Sequence, residues 1–535
     1  MKRPNVLDLK LIPLLCAALL APACAVETGE DESDLTSLTA RERTLGFEGY
    51  VYLHPDASDD EVLEAVQRET RSAFGALLEA NVSVATRELA NVDPSTFGRE
   101  TLDVVGPNGA GESTLRVRYR YTDRAIVPVT MARRSSLGLG LLHGEYQDQS
   151  KRILEECTGN TADDREMESD IWYVFNPSLS SCKQAMNAEQ AKIDEARRAL
   201  DAQPGQVVAE ELERLYIPMT VSLAPTATSG KKRYPEYDRL FRGGVAKNTV
   251  VVTLLNGMID HPKPGQPHYA YADSGYYETM GLMAELLEAR PNLKVVKSEP
   301  AADLFSFTIA GKKVTAASFQ TFVDWEYFDW GWPAGLTAAN KVELRKQVGD
   351  RISHKWITFE EQVKVKIGSS APTPVTYRVE LYFGVEDDEA PYRRALKTSD
   401  VFIYNGHSYI GEGPLDPSNF DKGDLPQSYQ LFFIDSCLSF NYYNVDFFGF
   451  KTRGTADLDI ISNGVESFSD GSGAAQGKFV AALLGGKQPS YLDLLKAAQT
   501  TGTDYDWGKD AMRVVDGELD NAYKPSATLI VVSAP

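Results

Sequence analysis

The sequence predicts an α/β protein. Its C-terminal half is expected to form a mostly parallel sheet with helices on both faces, preceded by an α+β domain. Residues 401–404 (VFIY) and 431–434 (LFFI) are continuous apolar runs, as buried parallel strands are. From residue 245 onward such runs alternate with helical patterns, which favours strands joined by crossover helices. A chain of 535 residues is too long for one core, so we expect at least two domains.

Residues 1–24 have the pattern of a signal peptide. Lys2 and Arg3 precede an apolar run at residues 11–20, and the small residues of Ala-Pro-Ala lead to Cys24. This ending resembles a bacterial lipobox, in which the cysteine is lipidated and becomes the new N-terminus. Two expectations stay open: a lipoprotein held at the membrane through Cys24, or plain secretion.

The charge balance excludes one class of partner. The net charge is −21 and the pI is about 4.9, which argues against binding to the phosphate backbone of a nucleic acid. Residues 25–44 follow the signal peptide and begin with an acidic stretch, so they predict an acidic tether. We therefore expect an exported protein at the outer membrane or periplasmic face, or outside the cell.

The predicted α+β domain covers residues 45–230. Cys157 and Cys182 lie 25 residues apart within it, a spacing that suits a disulfide in an oxidising compartment. Cys16 and Cys24 lie in the signal segment, so Cys437 is the one cysteine left without a predicted partner. An unpaired cysteine in an exported protein is a candidate reactive group.

A glycine-rich stretch at residues 106–114 (GPNGAGEST) looks like a phosphate-binding loop. Glu112 occupies the position of the required lysine, and the alternating strand pattern of residues 115–121 follows where a helix should begin. We therefore predict a hairpin turn and no nucleotide. No spacing in the sequence predicts a metal site either, so we expect no cofactor.

Residues 231–244 predict an exposed basic linker. They begin with Lys231, Lys232 and Arg233 after a small, polar stretch. The second domain then covers residues 245–535.

His407 and Cys437 each follow one of the two apolar runs. Open α/β sheets carry their chemistry just beyond the carboxyl ends of their strands. A histidine and a cysteine at one edge of the sheet are the pair that a thiol nucleophile needs. The sequence thus predicts a Cys437/His407 dyad.

This arrangement resembles the caspase-fold cysteine peptidases, a group that includes caspases, legumains, gingipains and clostripain. The motif Asp435-Ser436-Cys437 is most similar to the Asp-Ala-Cys of clostripain. It departs from the Gln-Ala-Cys signature of caspases, and Leu438 follows here. The resemblance implies a caspase-like sheet for the C-terminal domain.

The family roles carry over to five positions. His407 is implied as the general acid and Cys437 as the nucleophile. The oxyanion hole is implied to use the backbone N–H groups of Ser408, which stands where the family has glycine, and of Cys437. Asp435 and Asn256 are the implied substrate-binding residues. Asp435 would pair with Arg or Lys of the substrate, unless it is a turn or helix-capping residue, and Asn256 resembles the legumain asparagine that orients the histidine.

We therefore expect an exported cysteine endopeptidase that cleaves protein or peptide substrates after Arg or Lys. The N-terminal domain is then a candidate prodomain, and residues 231–233 are a candidate autoprocessing site. The alternative is a non-catalytic, caspase-fold binding lipoprotein of the cell envelope, which Ser408 favours. A third possibility is a surface adhesin that uses the acidic N-terminal domain.

Overall fold

The structure is a computed structural model. The predicted signal peptide with Cys24, the start of the tether and Lys231 lie outside the residues that it describes. The described residues are 35–106, 109–226, 232–260, 266–385, 388–499 and 510–535.

The N-terminal part is a seven-stranded sheet with helices packed against it. Its strand order is β6-β8-β2-β5-β4-β7, and β3 pairs with β5. The pairs are antiparallel except for β4 with β7. The strands are β2 (Ala40–Leu53), β3 (Ser83–Val84), β4 (Gly98–Gly106), β5 (Gly109–Pro128), β6 (Ser136–Leu142), β7 (Gln206–Val208) and β8 (Tyr216–Pro225).

The predicted hairpin at the glycine-rich stretch is confirmed, because β4 and β5 pair antiparallel across it. Helix α1 begins at a capping box formed by Ser58 and Glu61. The predicted disulfide between Cys157 and Cys182 is present and joins α3 to α6. The helices of this part are α1 (Asp59–Arg71), α2 (Ala73–Glu79), α3 (Ser150–Cys157), α4 (Ala162–Glu166), α5 (Ile171–Val174), α6 (Ser180–Ala199) and α7 (Ala209–Leu212).

The C-terminal part is built on a ten-stranded sheet of order β1-β18-β17-β16-β15-β9-β14-β13-β10, with β19 paired to β13. The central strands β14, β9, β15, β16 and β17 run parallel. The strands are β1 (Thr36–Ser37), β9 (Thr249–Gly257), β10 (Lys294–Glu299), β13 (Trp356–Ile367), β14 (Thr373–Gly384), β15 (Val401–Asn405), β16 (Gln430–Asp435), β17 (Leu458–Ser462), β18 (Val514–Asp516) and β19 (Ile530–Ser533). The separate hairpin is β11 (Ser306–Ile309) with β12 (Lys312–Thr315).

The protein is therefore mixed α/β. The expectation of a mostly parallel sheet fits the centre and is wrong for the edges, where β1, β10, β13, β18 and β19 pair antiparallel. The reason at β13 is the short connection to β14, since only an antiparallel pair can be joined by a short turn.

Helices cover both faces of this sheet. Helices α9, α15 and α16 share a core with Val252 and Phe433 on one face, and α12 packs with Phe402 on the other. No helix in the described ranges is long and apolar enough to cross a membrane. The helices are α8 (Tyr237–Leu240), α9 (Ser274–Ala289), α10 (Phe319–Glu326), α11 (Ala338–Ile352), α12 (Glu389–Thr398), α13 (Ser439–Tyr443), α14 (Val445–Phe448), α15 (Ser472–Leu484) and α16 (Tyr491–Ala497).

The predicted exposed linker is wrong for most of its described residues, 232–244. Tyr237 is fully buried in the C-terminal core. The carboxylate of Asp400 accepts from the N–H groups of Gly244 (2.8 Å), Val245 (3.0 Å) and Val251 (2.9 Å). A Cβ at residue 244 would lie 2.6 Å from that carboxylate, so this close approach needs glycine. The segment is thus an integral edge of the second domain.

The predicted tether is also wrong for its described residues, 35–44. Leu35 and Ala40 are buried, and β2 already begins at Ala40. Strand β1 pairs with β18 at the edge of the C-terminal sheet. The acidic composition of the preceding residues favours a tether, and the burial of such short apolar segments cannot be recognised from the sequence.

The two parts of the chain share one hydrophobic core. Phe74 of α2 stacks on Tyr442 of α13 with ring centroids 6.2 Å apart, and on Tyr173 of α5 at 5.6 Å. The same cluster continues through Phe432 and Phe447 of the C-terminal part. The N-terminal part is therefore packed onto the face of the second sheet that carries α12.

We predict that removal of the disulfide by Cys157→Ala with Cys182→Ala lowers the free energy of unfolding by about 3 kcal/mol, because a loop of this length loses its constraint in the unfolded chain. Denaturant unfolding followed by fluorescence measures this. Cys437→Ala, which removes a thiol outside the disulfide, is the control and should change the value by less than about 1 kcal/mol. An equal loss in both variants would contradict the prediction.

Candidate active site

Three parallel strands end level with one another at one edge of the C-terminal sheet. Asn405 is aligned with Asn256 of β9 on one side and with Asp435 of β16 on the other. His407 and Cys437 each lie two residues beyond these aligned positions. Since adjacent strands lie about 4.8 Å apart, the two predicted catalytic residues leave the sheet side by side.

The imidazole of His407 is held by the backbone. Its Nε2 lies 2.8 Å from the carbonyl oxygen of Ile259, which follows the end of β9. A carbonyl can only accept, so Nε2 carries a proton, and in the neutral ring Nδ1 holds the basic lone pair. The Tyr404 hydroxyl donates to the His407 carbonyl at 2.7 Å. This contact of His407 with Ile259 is one that a reading of the sequence misses, because a backbone carbonyl leaves no side-chain signal.

Cys437 is a free and partly exposed cysteine. Its Sγ lies 3.7 Å from the carbonyl oxygen of Ser467, in the loop after β17. Burial raises the pKa of the Cys437 thiol, and the nearby carboxylates of Glu466 and Asp435 raise it further, against the lowering effect of Ser467. The sulfur is therefore a thiol at neutral pH and needs a base before it can attack.

Left-handed backbone follows both residues. Tyr409 and Ile410 have φ of 50° and 48°, and Leu438 has φ of 53°. Such conformations are costly for residues with side chains and cluster at functional sites. Hydrogen bonds hold them: the Tyr443 hydroxyl donates to the Ser408 carbonyl at 2.8 Å, and Leu438 N–H donates to Val465 at 3.2 Å.

Ser408 itself is unstrained. Its φ of −87° and ψ of −19° are ordinary right-handed values, so the serine fits where the resembled family has glycine. Among the described residues, neither the N–H of Ser408 nor that of Cys437 has a hydrogen-bond acceptor in the protein. These are the two donors that the predicted oxyanion hole requires.

The structure contradicts the predicted role of Asp435 as an open specificity carboxylate. Asp435 is buried, and its oxygens accept from Asn463 Nδ2 (2.7 Å), Gln476 Nε2 (3.2 Å) and Arg513 Nη2 (3.2 Å). Arg513 is equally buried. A carboxylate already paired inside the protein has no oxygen to offer a substrate.

Asn256 is likewise corrected. Its side chain is buried and donates to the Thr279 hydroxyl at 2.8 Å, so it does not face a substrate. His407 Nε2 instead contacts the carbonyl oxygen of Ile259, three residues after Asn256. Of the predicted cleavage positions, Lys232 is exposed, whereas the Arg233 carbonyl accepts from Tyr491 N–H at 2.9 Å.

A cavity of about 730 Å³ lies along the turn that follows His407, although His407 itself does not line it. Its wall is formed by the turn that follows the histidine, with Tyr409 at a ring distance of 5.5 Å from His407. Glu412 is exposed there and forms no ion pair with a described residue. The N-terminal part contributes Met167. The remaining lining residues are Glu389, Ile410, Gly413, Pro414 and Asn419.

We predict that Arg513→Met lowers the free energy of unfolding by about 3 kcal/mol, because it leaves the Asp435 charge buried without its cation. Denaturant unfolding measures the change. The matched control is Arg378→Met, which breaks the half-exposed pair with Glu360 (2.8 Å) in the same sheet, and should cost less than about 1 kcal/mol. A small effect in Arg513→Met would instead indicate that Asp435 is solvated.

The chain was compared with protein-family models, with curated proteins and with solved structures, and none of them matches it.

Proposed function

We propose that this protein is a cysteine endopeptidase in which Cys437 is the nucleophile and His407 the acid–base group. The observation that carries the proposal is the level ending of β15 and β16, each of which is followed two residues later by one of these side chains. The contact of His407 Nε2 with the Ile259 carbonyl supports it, because in the neutral ring it puts the proton on Nε2 and the basic lone pair on Nδ1. The parallel centre of the sheet supports a caspase-like arrangement of the C-terminal domain.

The reaction follows from these groups. His407 Nδ1 takes the thiol proton as Sγ attacks the carbonyl carbon of the substrate and a C–S bond forms. The N–H groups of Ser408 and Cys437 donate to the developing oxyanion. The C–N bond breaks as His407 returns the proton to the leaving amine. Water then hydrolyses the thioester and releases the free thiol.

We propose that the cavity along the turn after His407 receives a basic side chain of the substrate. Lys and Arg have an apolar stem and a charged end. The stem would lie on Tyr409 and Met167, and the charged end would reach the carboxylate of Glu412. The preference for Arg or Lys thus rests on Glu412 and no longer on Asp435.

We also propose that the chain is exported, through the signal-peptide pattern of residues 1–24, with Cys24 as the lipidated residue. The Cys157–Cys182 disulfide supports an oxidising compartment.

A second function is favoured by one observation. The raised pKa of Cys437 would suit a non-catalytic envelope binding protein whose cysteine is only an unreactive thiol. The two functions differ in whether His407 can activate that thiol.

We predict that the protein cleaves peptides that carry Arg or Lys before a fluorogenic leaving group. Cys437→Ala should lower kcat/KM by at least about 1000-fold and His407→Ala by at least about 100-fold. Peptides with Asn or Asp at the same position compare specificity. Absence of cleavage, together with a Cys437 that resists a thiol-alkylating probe, would favour the binding function.

We predict that Glu412→Gln lowers kcat/KM for the Arg and Lys peptides about tenfold and leaves the value for the Asn peptide unchanged, because only a cation gains from the carboxylate. The matched control is Glu389→Gln, which alters a second acid of the cavity that is paired with Arg393 at 3.4 Å. An equal loss for all peptides would show that Glu412 does not distinguish charged from uncharged side chains of the substrate.

A further inference from the structure

The segment that follows β3 in the N-terminal part reaches the turn behind His407. Arg87 Nη1 donates to Asp416 at 2.9 Å, and its Nη2 donates to the Gly411 carbonyl at 3.0 Å and to Asp416 at 3.3 Å. Gly411 directly follows the two left-handed residues, Tyr409 and Ile410. The Arg87 guanidinium therefore binds this turn at two places, Gly411 and Asp416.

The same segment also holds the helix behind Cys437. Asn441 lies in α13 and is buried. Its Nδ2 donates to the carbonyls of Val84 (3.0 Å) and Thr86 (2.9 Å), and its Oδ1 accepts from Glu88 N–H at 3.3 Å. Because the amide nitrogen and the amide oxygen of Asn441 both bind the same stretch of backbone, they fix the position of α13 relative to that stretch. We call residues 84–88 the bridging segment.

The charges in this contact favour a lasting interaction. Burial raises the pKa of Asp416, but hydrogen bonds from Arg87 and Ser418, together with the charge of Arg87, outweigh it and hold that pKa below its usual value. Arg87 and Asp416 are both mostly buried, with side-chain exposures of 25% and 12%. Bidentate pairs of this kind give geometric specificity that a lysine cannot reproduce.

A strained turn persists only when its surroundings over-determine it. For the turn that begins at Ser408, part of that determination comes from Tyr443 in the C-terminal part, and part comes from Arg87. If the N-terminal part were released, as a prodomain is, the Gly411 carbonyl and Asp416 would both lose their cation. The backbone that orients the Ser408 N–H would then be held less firmly.

We propose that Arg87 is a positioning residue of the active site and that the N-terminal part is a permanent half of the catalytic unit. The bridging segment sets the turn after His407 and the helix after Cys437 relative to each other. This inference rests on the proposed peptidase function. It replaces the expectation of a removable prodomain, because cleavage near residue 233 would leave these contacts in place.

The test compares Arg87→Met and Arg87→Lys with wild type in the full chain from Cys24 onward. The matched control is Arg197→Met, which breaks a similar ion pair with Glu211 (2.8 Å) away from the site. Hydrogen exchange of peptides covering residues 405–416 reports the turn without any need for activity. Steady-state cleavage of an Arg peptide separates kcat from KM, and near-ultraviolet circular dichroism gives the folded fraction.

We predict that Arg87→Met speeds exchange in residues 405–416 at least about tenfold and lowers kcat about 10- to 100-fold with KM changed less than about threefold. Arg87→Lys should recover part of kcat, since it restores the charge but not the double contact. Arg197→Met should match wild type in both measurements.

Every other outcome would overturn either the role of Arg87 or the proposed function. Wild-type exchange and kcat in Arg87→Met overturn the role of Arg87 while the peptidase stands. A loss in kcat that only follows the folded fraction, or that equals the loss in Arg197→Met, reduces Arg87 to a general stability contact. Faster exchange in a protein whose wild type shows no thiol-dependent cleavage overturns the proposed function, and with it any catalytic meaning of the bridging segment.

Discussion

The parallel register of β9, β15 and β16 is the constraint on which the candidate site depends. Because Asn256, Asn405 and Asp435 are level, the residues that follow them all emerge at one edge of the sheet. A shift of one residue in either pair would turn His407 or Cys437 to the other face. The register is fixed by burial, since every residue of these three strands lies inside the protein.

Buried carboxylates at the two ends of these strands are paired within the protein. At the end of β16, Asp435 is neutralised by Arg513. At the opposite end of the sheet, before β15 begins, the carboxylate of Asp400 accepts from three backbone N–H groups, although burial still raises the pKa of Asp400 to about 6. Buried ions without partners would be costly.

The N-terminal part completes the site from the other side. Phe74 stacks on Tyr442 of the helix that follows Cys437 and on Tyr173 of its own part, and Met167 lines the cavity at the turn after His407. The candidate site therefore lies where the two parts of the chain meet, a frequent position for ligand sites. The shared hydrophobic core makes this meeting part of folding, so neither part presents the same edge alone.

The sequence by itself determined the α/β class, the disulfide and the places of the central strands along the chain, because continuous apolar runs and cysteine spacing are local signals. It also pointed to His407 and Cys437, since each follows such a run. Only the tertiary structure decided the antiparallel edges, the buried pairing of Asp435 with Arg513 and the carbonyl of Ile259 on His407. It also decided that residues 35–44 and 232–244 are packed, and that Arg87 contacts the turn after His407. The contacts of Asp435 with Arg513, of His407 with Ile259 and of Arg87 with Asp416 join residues 78, 148 and 329 positions apart, and no local pattern records a partner at that distance.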